Sequence, residues 1–286
     1  MKTSIDLYMN MHLWTSDLQP SQYAILEKLK AIGFDGIEFF LGSPERSHYE
    51  KLGEFARSLD LKLITVIGAD TEVNAISGDP AIRKAAKAWF KEKIDDTAAA
   101  GSTNIGGPFH AAFNHFSGKP TTEDEIKYAV EFLAEAGEYA KEKNITLTPE
   151  FLNRYEAYFG NTMAQLRSVL DQVNHPNVSA MFDTYHANIE EKSQVEAIEA
   201  VAPHLTHVHI SENDRGTPGR GQIDFDAVFK KLAAVDFSGT IAIEAFHRQN
   251  EDFANFVNVW RNFSPSDEII QEGYDLVKNG LKKHFV

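Results

Sequence analysis

Four residues of this 286-residue chain share a chemistry and a spacing: Glu150, Asp183, His209 and Glu244 follow one another at intervals of 33, 26 and 35 residues. Each lies at or next to the end of a short apolar run, in ITLTPE, VSAMFD, HLTHVHI and GTIAIE. Three carboxylates and one imidazole make a hard, oxygen-rich donor set. It suits an octahedral Mn²⁺, with Co²⁺ or Mg²⁺ as alternatives, and leaves positions open to substrate oxygens. The chain has no cysteine, so neither a disulfide nor a thiolate zinc site can form. A divalent ion chelating adjacent oxygens of an α-hydroxy ketone stabilises an enediolate and acidifies the carbon-bound proton. One carboxylate can then remove that proton, and a second on the opposite face of the carbon can return one and invert the centre.

Such a site needs elements that bring four distant segments to one place. Short β-type runs alternate with longer amphipathic stretches along the whole chain. Strands are expected near 3–9, 35–40, 61–67, 103–106, 145–150, 178–183, 204–210 and 239–244. Helices are expected over 21–32, 45–58, 80–99, 122–142, 161–173, 190–201, 225–234 and 265–283. Eight strands, each followed by a helix, predict a single (β/α)8 TIM-barrel domain spanning 1–286. No Gly-x-Gly-x-x-Gly follows the first strand, which argues against a dinucleotide-binding sheet. Barrel enzymes carry their chemistry at the carboxyl ends of the strands, where all four residues fall. Strands 5 and 8 stand three apart in the ring, so Glu150 and Glu244 are expected across the site from each other.

Further polar residues cluster after the same strands. Arg154 and Glu156 follow strand 5, His186 stands three residues beyond Asp183, and Arg215 lies in the loop SENDRGTPGRG after strand 7. These are candidates to hold the hydroxyls of a polyol, and the glycines and proline of the last segment suggest an ordered or closing loop. His207 alternates with His209 and is expected one layer deeper, supporting rather than holding an ion. His12 and Trp14 after strand 1, Gly107 at the end of strand 4 and Phe113 beyond it are candidates for the pocket wall. The Gly106-Gly107-Pro108 segment should keep side chains out of the mouth.

Composition narrows the partners. A formal charge of −14 repels polyanions, so neither nucleic acid nor an anionic membrane is an expected partner. No apolar run approaches about 18 residues, and the N-terminal MKTSIDLYMN lacks the apolar core of a signal peptide, which predicts a cytoplasmic protein.

The segments EFLNRYE (150–156), FDTYHANIEE (182–191), HVHISENDRGTPGRGQIDFD (207–226), IEAF (243–246) and VWRNF (259–263) together resemble the ketose 3-epimerase family. That family comprises the D-tagatose, D-allulose (psicose) and L-ribulose 3-epimerases within the xylose-isomerase-like TIM barrel superfamily. The likeness runs over nearly the whole chain. It implies a metal site of Glu150, Asp183, His209 and Glu244, with Glu150 and Glu244 exchanging the C3 proton of a free ketose. It also implies Glu156, His186 and Arg215 as contacts to the ketose oxygens, and a homodimer or homotetramer. Departures fall where the sugar is chosen: strand 1 carries Asp6 and Asn10 where relatives often have aromatic residues, and Phe113 stands where a tryptophan is frequent.

Three other functions use similar parts. An aldose–ketose or hydroxypyruvate isomerase chelates its substrate in the same way but moves hydrogen between C1 and C2. An endonuclease-IV-like repair enzyme needs a multi-zinc cluster and a basic groove, which the net charge and the few strand-end histidines disfavour. A sugar-binding protein without turnover has no use for a complete pair of glutamates.

Overall fold

A computed structural model describes residues 5–285. Its strands are β1 (Asp6–Asn10), β2 (Gly36–Phe40), β3 (Lys62–Val66), β4 (Asn104–Gly107), β5 (Thr146–Pro149), β6 (Ala180–Asp183), β7 (Leu205–Ile210) and β8 (Thr240–Ile243). All pair in parallel in the order β5-β4-β3-β2-β1-β8-β7-β6. The two ends of this sheet meet where the Leu147 N–H donates to Asn177 O and the Ser179 N–H to Leu147 O, both at 2.8 Å, which ties β5 to the segment leading into β6 and brings the barrel near to closure. Each expected strand is present to within three residues at either end. The expected start of the first, at Thr3 and Ser4, lies outside the described residues.

The strands are short apolar runs because both of their faces are covered, as in parallel sheets generally. Outward residues such as Leu7, Ile37, Ile105 and Leu147 pack against helices in one continuous core, while Tyr8, Ile64 and Ala242 form a small separate cluster inside the barrel. The helices are α1 (Ala24–Ile32), α2 (Arg46–Ser58), α3 (Pro80–Ala100), α4 (Glu123–Glu142), α5 (Met163–Val173), α6 (Thr184–Glu190), α7 (Gln194–Val201), α8 (Phe225–Ala234), α9 (Glu251–Phe256) and α10 (Ser266–His284). Several starts are written into the sequence. Asp79 caps the Pro80 turn, and Thr122 with Glu125 and Thr162 with Gln165 form reciprocal capping boxes. No helix among the described residues is long and apolar enough to cross a membrane.

Two elements depart from expectation. The helix expected over 190–201 begins only at Gln194, where Ser193 caps α7, and it is preceded by an additional helix, α6, that Asp183 caps directly at the end of β6. A six-residue helix, α9, stands between β8 and α10, where no helix is expected. It is too short to show a period, and aromatic contacts described below hold it.

Parallel register sets the height of the site. Asp183 pairs with His209, His209 with Ala242 and Ala242 with Tyr8, so Asp183 and His209 share one level of the barrel. Glu150 and Glu244 each stand one residue past their strands, at the carboxyl end. Their backbones are nonetheless tied to the sheet: Glu150 N–H donates to Gly107 O at 3.0 Å and Glu244 N–H to Ile210 O at 3.1 Å.

Candidate metal centre

The structure brings one ligand atom each from Glu150, Asp183, His209 and Glu244 within 4.8 Å of one another, all four residues being buried. His209 Nδ1 lies 3.4 Å from Glu244 Oε2, 3.6 Å from Asp183 Oδ2 and 4.0 Å from Glu150 Oε1. Asp183 serves two ends. Its Oδ1 accepts from the Tyr185 and His186 N–H groups as the cap of α6, and its Oδ2 faces the cluster.

Arg215 and His186 reach the same place. Arg215 Nη1 donates to Asp183 Oδ2 at 2.9 Å, Glu244 Oε2 at 2.6 Å and Ser211 Oγ at 2.8 Å, while Nη2 lies 3.1 Å from His186 Nε2. The guanidinium is sandwiched between the Tyr185 ring at 3.8 Å and the Phe246 ring at 4.7 Å. Its backbone takes φ +63°, a left-handed conformation that a non-glycine residue adopts at a cost and that commonly marks a functional turn. His186 Nε2 lies 3.5 Å from Glu150 Oε1. Asn153 ties His186 to Glu156: its N–H donates to His186 Nδ1 at 3.1 Å and its Nδ2 to Glu156 Oε1 at 2.9 Å.

Glu150, Glu156, His186, Arg215 and Glu244 line one cavity of about 170 Å³ together with apolar residues from several loops. His12 and Phe113 are among the residues that line it. His12 stacks face to face on Phe253 of α9 at 4.0 Å, and Phe113 on Phe256 at 4.8 Å, so α9 roofs part of the cavity. Trp14 and Gly107 do not line it. The 3₁₀ turn Met11–Leu13 carries the chain away, and Trp14 packs against the hydrophobic core. Gly107 offers no side chain. It takes φ +106°, and a Cβ there would stand 2.5 Å from Ile67 O, so its part is to hold Glu150 through its carbonyl. Arg154 also faces elsewhere: its side chain is 61% exposed and its Nη2 pairs with Glu190 Oε2 at 2.8 Å.

Known proteins share this fold. The description of the xylose isomerase-like TIM barrel family matches residues 26–279. The chain belongs to that family. Within it the chain is similar to an L-ribulose 3-epimerase of Methylomonas sp. (strain DH-1), 30% identical over 86% of this chain and 87% of the relative. It is 29% identical to a ketose 3-epimerase of Arthrobacter globiformis over 90% and 89% of the two chains. The crystal structure of a D-allulose 3-epimerase from Methylomonas sp. in complex with D-allulose superposes with a TM-score of 0.90 at 26% identity, covering 97% of both chains.

In this member of the xylose isomerase-like family the electrostatics are divided unequally. Burial pushes the Glu150 carboxyl well above the usual carboxylate range, and Glu244 and Asp183 add to the shift while His209 opposes it. Burial would also raise Asp183, but Arg215, His186 and His209 outweigh it and hold Asp183 well below that range. Burial lowers His209, yet Glu38, Glu244 and Asp183 together raise it well above the ordinary imidazole value. His12, buried among aromatic rings, is pushed down to about 4 and stays neutral.

Sequence reasoning gave no part around the cluster to three buried residues, of which it named only Asn10, as a departure on strand 1. Glu38, in the middle of β2, is fully buried against His207 and His209; burial raises its carboxyl, but the two imidazoles outweigh that and draw it well below the usual range. Asn10, at the end of β1, donates through Nδ2 to Glu38 Oε2 at 2.9 Å and to Glu244 Oε1 at 3.3 Å. Glu212 is buried under the loop that carries Arg215 and accepts from the N–H groups of Asn213, Gly219 and Ile223 at 3.0, 2.9 and 3.3 Å. A carboxylate inside an apolar strand, as in GIEFF, was the one available signal, since such a charge is not buried without partners.

The residues present fit a divalent ion. His209 Nδ1 is buried without a hydrogen-bond partner among the described residues and faces three carboxylates. An imidazole nitrogen with three carboxylates is the hard donor set that Mn²⁺, Co²⁺ and Mg²⁺ take.

Proposed function

We propose that this chain is a metal-dependent epimerase that inverts C3 of free ketohexoses and ketopentoses, with D-fructose and D-allulose, D-tagatose and L-ribulose as its candidate substrates. The observation that carries this reading is the convergence of Glu150 and Glu244, from strands three apart in the ring, on one cavity with Asp183 and His209 between them. The names of the relatives, an L-ribulose 3-epimerase and a ketose 3-epimerase, support the same choice. Glu150, Asp183, His209 and Glu244 hold the ion, Mn²⁺ before Co²⁺ or Mg²⁺. When bound, the ion polarises the sugar oxygens beside C3 and makes the C3–H bond acidic.

The chain's own groups do the rest. One of the two glutamates takes the C3 proton onto a carboxylate oxygen, and the other returns a proton to the opposite face, so that atoms balance and the configuration inverts. The roles exchange in the reverse direction. Arg215 and His186, fixed by Asp183 and Asn153, hold sugar oxygens, and Glu156 accepts from a hydroxyl. His12 and Phe113, backed by α9, wall the cavity and keep water from the reacting carbon.

Incubation with Mn²⁺ and D-fructose or D-allulose in D₂O, read by NMR, tests the reading. Deuterium is expected at C3. Label at C1 or C2 would instead identify an aldose–ketose isomerase, and no label with any ketose would leave a binding protein.

A further inference from the structure

Directly below the four carboxyl-end residues, the barrel interior holds a second polar group of side chains that no solvent reaches. Glu38, His207 and His209 are each 0% exposed. Glu38 Oε1 lies 3.1 Å from His207 Nε2 and its Oε2 lies 2.8 Å from His209 Nε2. The contact to His209 is bent away from a straight hydrogen bond, so Glu38 meets that ring chiefly as a charge beside it. His207 is anchored from behind by Thr240 Oγ1, 2.7 Å from its Nδ1. Asn10 completes the set, with its single Nδ2 shared between Glu38 Oε2 and Glu244 Oε1.

We infer that Glu38 is a positioning residue: its carboxylate holds His209 with Nδ1 turned to Glu150, Asp183 and Glu244, and through Asn10 it holds the Glu244 carboxylate as well. The role rests on the proposed metal-dependent function. Three arguments favour it over a plain packing role. A sealed carboxylate carries a desolvation cost that a leucine or methionine of similar volume would avoid, so packing alone does not explain it. Both of its oxygens are engaged, one by each histidine, and Oε2 takes the asparagine too. Of the two His209 nitrogens, Nε2 faces the Glu38 carboxylate and Nδ1 faces the ligand cluster, so the negative charge behind the ring favours the tautomer protonated at Nε2 and leaves Nδ1 to ligate.

Glu38→Gln tests this because it conserves shape but leaves one acceptor oxygen where two were used, with an NH₂ facing an imidazole or Asn10. Mn²⁺ is titrated calorimetrically into metal-free wild type, Glu38→Gln and Asn10→Ala, each checked for folding by circular dichroism. One ion per chain is expected in the wild type, with affinity about 10- to 100-fold weaker in Glu38→Gln and a smaller loss in Asn10→Ala. An affinity within about twofold of wild type in folded Glu38→Gln overturns the role, because outer partners of a ligand normally cost more than that. Two ions per chain would make Glu38 a ligand and overturn it too. A wild type that binds no Mn²⁺ overturns the proposed function together with this role, and so separates the two failures.

A measurement on the wild type stands should the variants not fold. In ¹⁵N-histidine protein loaded with Mg²⁺, the ring whose Nδ1 resonance moves on loading is His209. It is expected to carry a slowly exchanging Nε2–H. A rapidly exchanging proton there, or none, overturns the inference.

Discussion

At the scale of single residues, Glu150 and Glu244 are alike in type and unlike in surroundings. Glu244 is held by Asn10 and Arg215, whereas Glu150 is approached at 3.5 Å by His186 and its carboxyl is raised by burial. Proton exchange from two faces requires both. Glu150→Gln and Glu244→Gln are each expected to lower kcat by about 10²–10⁴-fold, measured at saturating Mn²⁺ so that weakened binding of the ion is not mistaken for lost chemistry. Near-normal turnover in either variant refutes that residue's role. Arg215 is a different case, since its Nη1 reaches two carboxylates and a hydroxyl, its Nη2 reaches His186, and its plane lies between two aromatic rings. Lysine offers one point charge and no plane to stack, so Arg215→Lys is expected to raise KM about tenfold, roughly 1.4 kcal/mol of binding. An unchanged KM with lowered kcat would place Arg215 in the proton transfer instead.

At the scale of elements, strand ends were legible because a parallel barrel puts them in one plane, and caps such as Asp79 and Thr122 announce their helices locally. The elements around the cavity were less so. Helix α6 is started by Asp183, a residue that also faces the site, and α9 is held by Phe253 stacked on His12 and set edge-on to Phe246. Contacts between distant segments leave no period to read. The loop after β7 belongs here too, because a buried carboxylate, Glu212, gathers three backbone N–H groups and thereby presents Arg215. Glu212→Ala strands those donors. Unfolding by denaturant should show a loss of at least about 2 kcal/mol, with KM rising alongside it. A stable variant with normal KM would mean that the loop is ordered by something else.

At the scale of the whole molecule, the site and the stability of the fold are linked. The four ligand atoms meet only in the folded chain, so Mn²⁺ binds the native state alone and should raise the melting temperature. The pH dependence has a definite sign. In the metal-free fold the Glu150 and His209 sites are both shifted upward from their ordinary values, so each holds its proton to higher pH than usual, in competition with an ion. Mn²⁺ affinity is therefore expected to fall as pH drops from 8 to 6, with protons released on binding. Calorimetry in buffers of different ionisation enthalpy checks this, and a pH-independent affinity with no proton release would contradict the assigned ligands.

By itself the sequence determined the alternation of strand and helix, and with it the barrel and the rule that places Glu150, Asp183, His209 and Glu244 at one end. Those features rest on local patterning and on the chirality and register of parallel strands, which leave few alternatives. Only the tertiary structure decided that Trp14 and Arg154 turn away from the cavity, that α9 roofs it, and that Glu38 and Asn10 stand behind the cluster. Each of these depends on which side chains from distant strands meet inside the ring. Closure of the barrel brings β2 opposite β7, so that Glu38 and His209, 171 residues apart in the chain, stand 2.8 Å apart inside it.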